Sequence, residues 1–224
     1  MEAVKASMFV VVSAFFRVLF AQKIAGMFDL ELSLAFSLVV LSIYTLDRSF
    51  DYISKQGLIA ALIFVSAAIA LSNNPAVPLL ALFIGFMYSK GIKGVRLKGG
   101  YGIKNIVTAL TWGTVIAFYS KIGSFIIAFF AVKSFIITIL NDFRDVEDDL
   151  KNGIITIPAI LGERAVYFLL FVHFTFHGLI FSFLPLTPYL FSLTSGLFCI
   201  WKIKPKIAQA EFIIQPFLIE LSSA

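Results

Sequence analysis

Residues 122–153 read IGSFIIAFFAVKSFIITILNDFRDVEDDLKNG and join an apolar run to an acidic stretch. The run 122–140 has about the length that a helix needs to cross a membrane. The stretch 141–153 then places five carboxylates directly after it. Because a charged side chain at membrane depth costs about 2.5–3.5 kcal/mol on insertion scales, such residues normally line a watery cavity, pair with opposite charges or bind an ion.

The acidic residues of this stretch share one face of a helix. Asp142, Asp145 and Asp149 are spaced i, i+3 and i+7, and Asp148 lies beside them. Carboxylates packed so closely repel one another, and a hard cation such as Mg²⁺ relieves that repulsion while leaving coordination positions open for phosphate oxygens. We therefore predict a magnesium–diphosphate site at a membrane surface, with Asn141 and these four aspartates as metal ligands.

The composition indicates an all-α, polytopic membrane protein. Hydrophobic residues make up 60% of the chain and 26 residues are Phe, which far exceeds the content of a soluble domain. We predict about nine transmembrane helices in a single domain, residues 1–224. Glu211, Gln215 and Glu220 leave open whether the ninth segment crosses the membrane or lies at its interface. The predicted segments are 4–22, 30–47, 56–73, 75–90, 104–120, 122–141, 164–182, 185–201 and 207–222.

Basic residues are distributed unevenly between the predicted loops. Of 18 Lys and Arg residues, 14 lie at the N-terminus or in loops after segments two, four, six and eight. Cytoplasmic loops are enriched in such residues, so we predict a multi-pass protein of the cell membrane whose N-terminus and acidic stretch face the cytoplasm. The same bias accounts for the net charge of +5 without a nucleic-acid partner.

Three remaining features exclude or weaken other kinds of site. The single cysteine, Cys199, excludes an internal disulfide and a cysteine-based metal site. His173 and His177 are four residues apart and could share a haem or metal, but the chain has no further histidine, which favours hydrogen bonding within the bundle. The first apolar segment is long and contains Arg17, so we expect no cleavable signal peptide.

A second acidic pair ends the second apolar segment. Asp47 and Asp51 are spaced i, i+4, and the same spacing recurs 98 residues later at Asp145 and Asp149. This recurrence predicts two related halves whose acidic clusters face each other across a central cavity. The alternative is that each aspartate simply ends a helix in the headgroup layer.

A basic, glycine-containing loop lies between segments four and five. Its cations suit the binding of a diphosphate that magnesium does not fully neutralise. The alternative is an ordinary loop with a positive-inside bias. Lys133, inside segment six, is expected to reach the cavity and pair with an acidic group, and its alternative is a helix-packing or snorkelling role. The candidate diphosphate-binding residues are Arg48, Arg96, Lys98, Lys104, Arg144 and Lys133.

The motifs together resemble the UbiA superfamily of intramembrane prenyltransferases. Residues 145–162, DVEDDLKNGIITIPAILG, follow the family pattern of an Asp-rich motif, then Gly, Thr-x-Pro and a closing Leu-Gly. The family's first motif is usually Asn-Asp-x-x-Asp-x-x-x-Asp. The chain keeps Asp47 and Asp51 there but has Ile43 and Tyr44 in place of Asn-Asp, and it lacks the Arg-Pro-x-x-x-Gly run that often follows.

The resemblance implies a ring of helices around a central cavity, with a prenyl diphosphate held through Mg²⁺ between the two motifs. Asp47, Asp51, Asp145 and Asp149 would then be catalytic, and the prenyl group would pass to a lipophilic or aromatic acceptor. Two alternatives stay open: a cation or lipid transporter or binding protein, and a family member whose activity has decayed, the latter because of Ile43 and its neighbour in the first motif.

Overall fold

The structure is a computed structural model that describes residues 2–51, 54–92, 96–97, 100–121 and 123–223. The side chains of residues 2–7, 51 and 223 are not among those described. Within these ranges the chain forms ten α-helices, which confirms the all-α prediction. The helices are α1 (Glu2–Ile24), α2 (Leu30–Asp51), α3 (Lys55–Ser72), α4 (Ala76–Ser89), α5 (Ile103–Ser120), α6 (Ser124–Lys151), α7 (Ile157–Leu161), α8 (Arg164–Ile180), α9 (Leu186–Lys202) and α10 (Pro205–Ser223).

Each of the nine predicted segments coincides with a long helix. The largest difference is at the sixth segment, because α6 continues through the acidic stretch to Lys151. The short helix α7 was not predicted as a separate element. Three of the described helices are long and apolar enough to cross a membrane, namely α2 over Leu30–Phe50, α3 and α6, while α4 and α8 are shorter apolar helices.

The chain divides into two compact units. Unit 1 comprises Met1–Lys98 and Val115–Ile122, and unit 2 comprises Gly99–Thr114 and Gly123–Ala224. The predicted single domain, its central cavity and its related halves stay predictions.

Unit 1 is organised around α2, which packs against α1, α3 and α4. Its core contains Phe20 of α1 and Phe36 of α2, both almost fully buried. The start of α2 is capped by Asp29, whose carboxylate accepts a hydrogen bond from the Leu32 backbone N–H at 3.0 Å. In the middle of α2, Ser42 donates to the Ala61 carbonyl of α3 at 2.7 Å and so links the two helices.

Unit 2 packs α6 against α8 and α10, and α9 against both α8 and α10. Three phenylalanines, Phe129 and Phe130 of α6 and Phe212 of α10, are fully buried at the centre. The start of α5 also belongs to this unit. There, a Cβ at Gly113 would overlap the Ile127 carbonyl oxygen of α6, so the lack of a side chain lets the two helices approach closely.

Candidate functional site

The end of α6 is fixed by its own backbone. Gly153 has φ 71°, a conformation that glycine adopts readily, and follows the last helical turn. Its N–H donates to the Leu150 carbonyl at 3.0 Å, and the Ile154 N–H donates to the Asp149 carbonyl at 2.8 Å. These two bonds form a Schellman motif, which satisfies carbonyls that would otherwise lack partners at the helix end. The glycine of the acidic motif therefore sets the position at which Asp149 lies.

The turn after α6 contacts the start of α5. The Gly102 N–H donates to the Ile155 carbonyl at 2.8 Å. Gly102 has φ 68°, and a Cβ added to it would come within 3.3 Å of the Ile157 side chain. The first turn of α5, which carries Lys104 and Asn105, is thereby held beside the last turns of α6.

Lys104, Asn105, Asp142 and Asp149 form a compact group that we call the Lys104 cluster. The Lys104 Nζ lies 2.8 Å from Asp142 Oδ1 and 2.6 Å from Asp149 Oδ2. Asn105 Nδ2 donates to Asp142 Oδ2 at 2.6 Å. The Asp142 side chain is 3% exposed, against 13% for Asp149 and 16% for Lys104. The buried carboxylate of Asp142 is thus hydrogen-bonded on both oxygens, while Asp149, two helical turns further along the same face, is more exposed.

The remaining polar residues of the α6 end lie outside this cluster. Arg144 Nε and Nη2 donate to the two carboxylate oxygens of Asp145, at 2.8 and 3.1 Å, on an exposed surface. Lys151 Nζ lies 3.4 Å from Asp148 Oδ1. Asn141 donates to the Ile137 carbonyl within its own helix at 3.0 Å. The predicted metal ligands of α6 therefore fall into four separate groups, of which only Asp142 and Asp149 share a partner.

The donor set of the Lys104 cluster suits a hard cation. Two carboxylate oxygens, from Asp142 and Asp149, already hold one positive charge, the Lys104 ammonium, at contact distance. Carboxylates are ligands that Mg²⁺ prefers, and Mg²⁺ commonly takes one or two of them together with water and phosphate oxygens. Among the described side chains, no three His, Cys, Asp or Glu residues are placed to hold a metal together. A metal at this point would therefore draw on further oxygen ligands, such as those of a diphosphate.

Lys133, a predicted diphosphate-binding residue, belongs to a different environment. It lies nine residues before Asp142, about 13 Å along the helix axis. Its Nζ is 2.7 Å from Glu211 Oε1 of α10 and 2.9 Å from Ser192 Oγ of α9. The two charged side chains are only 5% and 1% exposed. The structure thus pairs Lys133 with an acidic group, as the sequence suggested, and the partner is Glu211.

The two histidines of α8 are used for hydrogen bonding inside unit 2. His173 Nε2 lies 2.9 Å from the Leu193 carbonyl oxygen, and His177 Nε2 lies 3.2 Å from Ser192 Oγ. The His173 ring packs so closely on α9 that a Cβ at Gly196 would overlap it. These contacts agree with the favoured reading of the sequence, in which the histidines are packing residues of the bundle.

The first acidic motif lies in unit 1, at the end of α2. Asp47 is partly buried there, and Tyr44 lies within electrostatic range of Arg17, Asp47 and Arg48. Ile43 packs on α4, since its Cγ2 would be 2.9 Å from a Cβ placed on Gly85. The position at which the family usually has Asn is therefore used for apolar packing.

Several of the other predicted site residues are only partly described. The side chain of Asp51 and all of Lys98 lie outside the described residues. Arg96 precedes Leu97, whose N–H donates to the Met87 carbonyl of α4 at 3.0 Å. Whether these residues and the Lys104 cluster serve one ligand stays a prediction.

Asn105 is the residue of this cluster that the sequence-based list of candidates omitted. It is fully buried, and its amide holds Asp142. The signal for Asn105 in the sequence was its position next to Lys104, at the start of the fifth apolar segment. A short turn between two antiparallel helices places the beginning of the first beside the end of the second. That rule would have brought Lys104 and Asn105 together with the acidic end of α6.

The chain was compared with known families, proteins and structures. A family model described as the UbiA prenyltransferase family matches residues 54–209. This range includes α3 to α9 and all four residues of the Lys104 cluster.

Two individual proteins are similar to the chain. A digeranylgeranylglyceryl phosphate synthase of Methanothrix thermoacetophila is 30% identical over 95 residues, which are 42% of this chain and 36% of that protein. The match thus spans about a third of that relative's length. A solved structure described as concerning digeranylgeranylglyceryl phosphate synthase in membranes has a TM-score of 0.59, with 16% identity, over 99% of this chain and 97% of the other. That likeness shows a shared fold.

Proposed function

The chain belongs to the UbiA prenyltransferase family, and we propose that it transfers a prenyl group from a prenyl diphosphate to a lipophilic acceptor at a membrane. The observation that carries the proposal is the Lys104 cluster, in which α5 and α6 place a lysine and two carboxylates around one point. The same point lies at the end of a long apolar helix that is able to span a membrane. A diphosphate in the headgroup layer and a prenyl chain in the bilayer fit such a position.

The proposed reaction breaks the allylic carbon–oxygen bond of the prenyl diphosphate. The diphosphate leaves with both bonding electrons, the prenyl carbon becomes cationic, and a lone pair of the acceptor forms the new bond as the acceptor loses a proton. Fixed positive charge near the leaving group lowers the barrier of such a step. Lys104 is the described residue best placed to supply it, with Arg48, Arg96, Lys98 and Arg144 as further candidates.

The carboxylates of the two acidic motifs are proposed to hold Mg²⁺. In α6 the accessible candidate is Asp149, with Asp145 and Asp148 nearby and the buried Asp142 behind it, and in α2 the candidates are Asp47 and Asp51. When bound, Mg²⁺ supplies positive charge that neutralises the diphosphate as it leaves. Asn105 holds the buried carboxylate of Asp142 in place without any ligand.

The acceptor is proposed from the named relative. That protein is named for a product with two geranylgeranyl groups on glyceryl phosphate. We therefore propose geranylgeranylglyceryl phosphate as the first acceptor to test, with an aromatic acceptor second. The distribution of Lys and Arg supports a site on the cytoplasmic side.

The test is a transfer assay with purified protein in detergent or nanodiscs. Radiolabelled geranylgeranyl diphosphate, Mg²⁺ and each acceptor are mixed, and both diphosphate release and labelled lipid are measured. We expect product only with Mg²⁺ present, and loss of product on addition of EDTA. The matched pair Asp149→Asn and Glu147→Gln removes one charge each from the same turn, and only the first should abolish transfer.

The outcomes separate the alternatives. Metal-independent release of diphosphate, or equal rates for the two variants, would contradict the proposed site. Absence of release with every acceptor, in protein that still binds a prenyl diphosphate analogue with Mg²⁺, would identify a family member with decayed activity. Cation flux or lipid transfer in proteoliposomes without any prenyl product would favour the transporter alternative.

A further inference from the structure

The two carboxylates that contact Lys104 have different surroundings. Asp142 accepts from Lys104 on Oδ1 and from Asn105 on Oδ2, and it is almost fully buried. Asp149 meets the same ammonium through Oδ2 at the edge of the cluster, where it is more exposed. A ligand that approaches from solvent therefore reaches Asp149 first, while Asp142 is enclosed by its partners.

The charges of the cluster do not balance. Two carboxylates and one ammonium leave one negative charge, and the C-terminal end of α6 adds the partial negative charge of a helix end. Asp145 and Asp148 have their own exposed partners, Arg144 and Lys151. The cluster is thus able to accept more positive charge, yet the position between its two carboxylates is filled by Lys104.

We propose that Lys104 is an exchangeable counter-ion. In the free protein its ammonium neutralises both carboxylates; when a magnesium–diphosphate complex arrives, the ammonium keeps Asp142 and releases Asp149 to the metal. This inference rests on the proposed function, and it assigns different roles to two aspartates that share one motif. Asp149 is the metal ligand, whereas Asp142 is a positioning residue that presents Lys104 to the diphosphate.

The consequence is an order of binding. While Lys104 contacts Asp149, the carboxylate of Asp149 is already neutralised. The lysine ammonium also repels Mg²⁺ that arrives without a diphosphate. A diphosphate provides the ammonium with another anion and the metal with further oxygen ligands. The protein should therefore bind Mg²⁺ weakly by itself and strongly together with a diphosphate.

The first test uses Mg²⁺ alone, without any prenyl substrate. Thermal unfolding of the purified protein is followed across a magnesium titration for the parent, Lys104→Gln and Lys151→Gln. Both variants remove one positive charge near the end of α6, but Lys151 belongs to an exposed pair with Asp148. We expect Mg²⁺ to stabilise Lys104→Gln with a half-maximal concentration at least about tenfold lower than that of the parent, and Lys151→Gln to respond like the parent. An equal response of all three proteins would overturn the proposal.

A second test does not depend on the folding of the Lys104 variant. Mn²⁺ binding is measured by electron paramagnetic resonance with a nonhydrolysable geranylgeranyl diphosphate analogue, for Asp149→Asn and Asp142→Asn. We expect Asp149→Asn to weaken metal binding at least about tenfold, and Asp142→Asn to weaken it much less. An equal loss of metal affinity in the two variants would show that both aspartates ligate the metal. That result would overturn the proposal that Lys104 exchanges Asp149 for the diphosphate. Because neither measurement involves transfer, a failed transfer assay would reject the proposed function without deciding this inference.

Discussion

The ends of α2 and α6 carry aspartates at similar spacing, but different forces hold them. At the end of α6, Asp142 and Asp149 are bound by side chains of α5, and further back Lys133 is paired with α10. At the end of α2, Ile43 packs on Gly85 of α4. Asp142 of α6 is thus held by polar side chains, whereas Ile43, at the first position of the α2 motif, packs against a helix. The comparison indicates that an acidic motif can keep its last aspartates while its first positions are adapted to packing.

The largest expected effect comes from the buried ion pair of α6. Lys133→Met keeps the length of the side chain but leaves the Glu211 carboxylate buried without its counter-ion. We expect the free energy of unfolding to fall by about 3–5 kcal/mol, measured by denaturant or thermal unfolding in a fixed detergent. The double variant Lys133→Met/Glu211→Leu removes both charges and should recover most of the loss. Equal stability of the single and double variants would show that the pair is not coupled.

The next effect concerns catalysis at the end of α6. Asp149→Asn removes the accessible carboxylate of the cluster while keeping its shape. We expect kcat for prenyl transfer to fall about 100-fold or more, the size of effect seen when one preorganised polar contact of an active site is lost. Asp47→Asn in α2 should also lower kcat, and the ratio of the two losses measures how far the α2 motif still contributes. If Asp149→Asn transfers the prenyl group at the rate of the parent protein, the assignment of Asp149 to the active site is wrong.

A smaller effect is expected from the buried amide that holds Asp142. Asn105→Leu has a similar volume but removes the donor to Asp142 Oδ2. A buried acceptor that loses its partner costs about 1–3 kcal/mol, so the unfolding free energy should fall by that amount. Thr138→Val is the control, since its hydroxyl is 3.4 Å from the Asn105 amide and contributes little. If Thr138→Val costs as much as Asn105→Leu, the amide is not the main support of Asp142.

At the α2 motif, the experiment introduces a polar side chain in place of an apolar one. Ile43→Asn restores the residue that the family usually has, but it places an amide against Gly85. We expect a loss of about 1–3 kcal/mol in stability, at the lower end because Ile43 is only partly buried. Ile43→Val, which keeps the apolar contact, should stay within about 0.5–1.5 kcal/mol of the parent. A stabilised Ile43→Asn protein would mean that polar partners for the amide exist in α4.

The smallest effect is expected at the exposed surface of α6. Lys151 and Asp148 are 72% and 82% exposed and lie 3.4 Å apart. Surface ion pairs of this kind are worth about 0–1 kcal/mol, so Lys151→Gln should hardly change the unfolding temperature. A large loss in Lys151→Gln would mean that Lys151 has a role beyond its pair with Asp148.

The helices could be predicted from the sequence because the apolar runs are long and end at polar or glycine residues. All nine segments coincide with helices, and the acidic face of α6 follows directly from its spacing. The helix α7 was missed because five residues are too short for a periodic pattern. Thr156 before a Pro-containing turn was the only local signal for its start.

The partners of the charged residues could be predicted only in part. Lys133 and Glu211 both stood out as charges inside apolar segments, but 78 residues separate them and no local rule joins them. Lys104 was predicted to bind diphosphate, and its contacts with Asp142 and Asp149 could not be derived from composition. They depend on the backbone bond between Gly102 and Ile155, which is a tertiary contact.

The short connection between α5 and α6 has a consequence for the biogenesis of the protein. Only residues 121–123 separate the two helices, so Lys104 and the acidic end of α6 belong to one helical hairpin. Such a hairpin carries its own counter-ion, since Lys104 of its first helix contacts both Asp142 and Asp149 of its second. The acidic end of α6 can therefore be neutralised before the later helices α8 to α10 are synthesised.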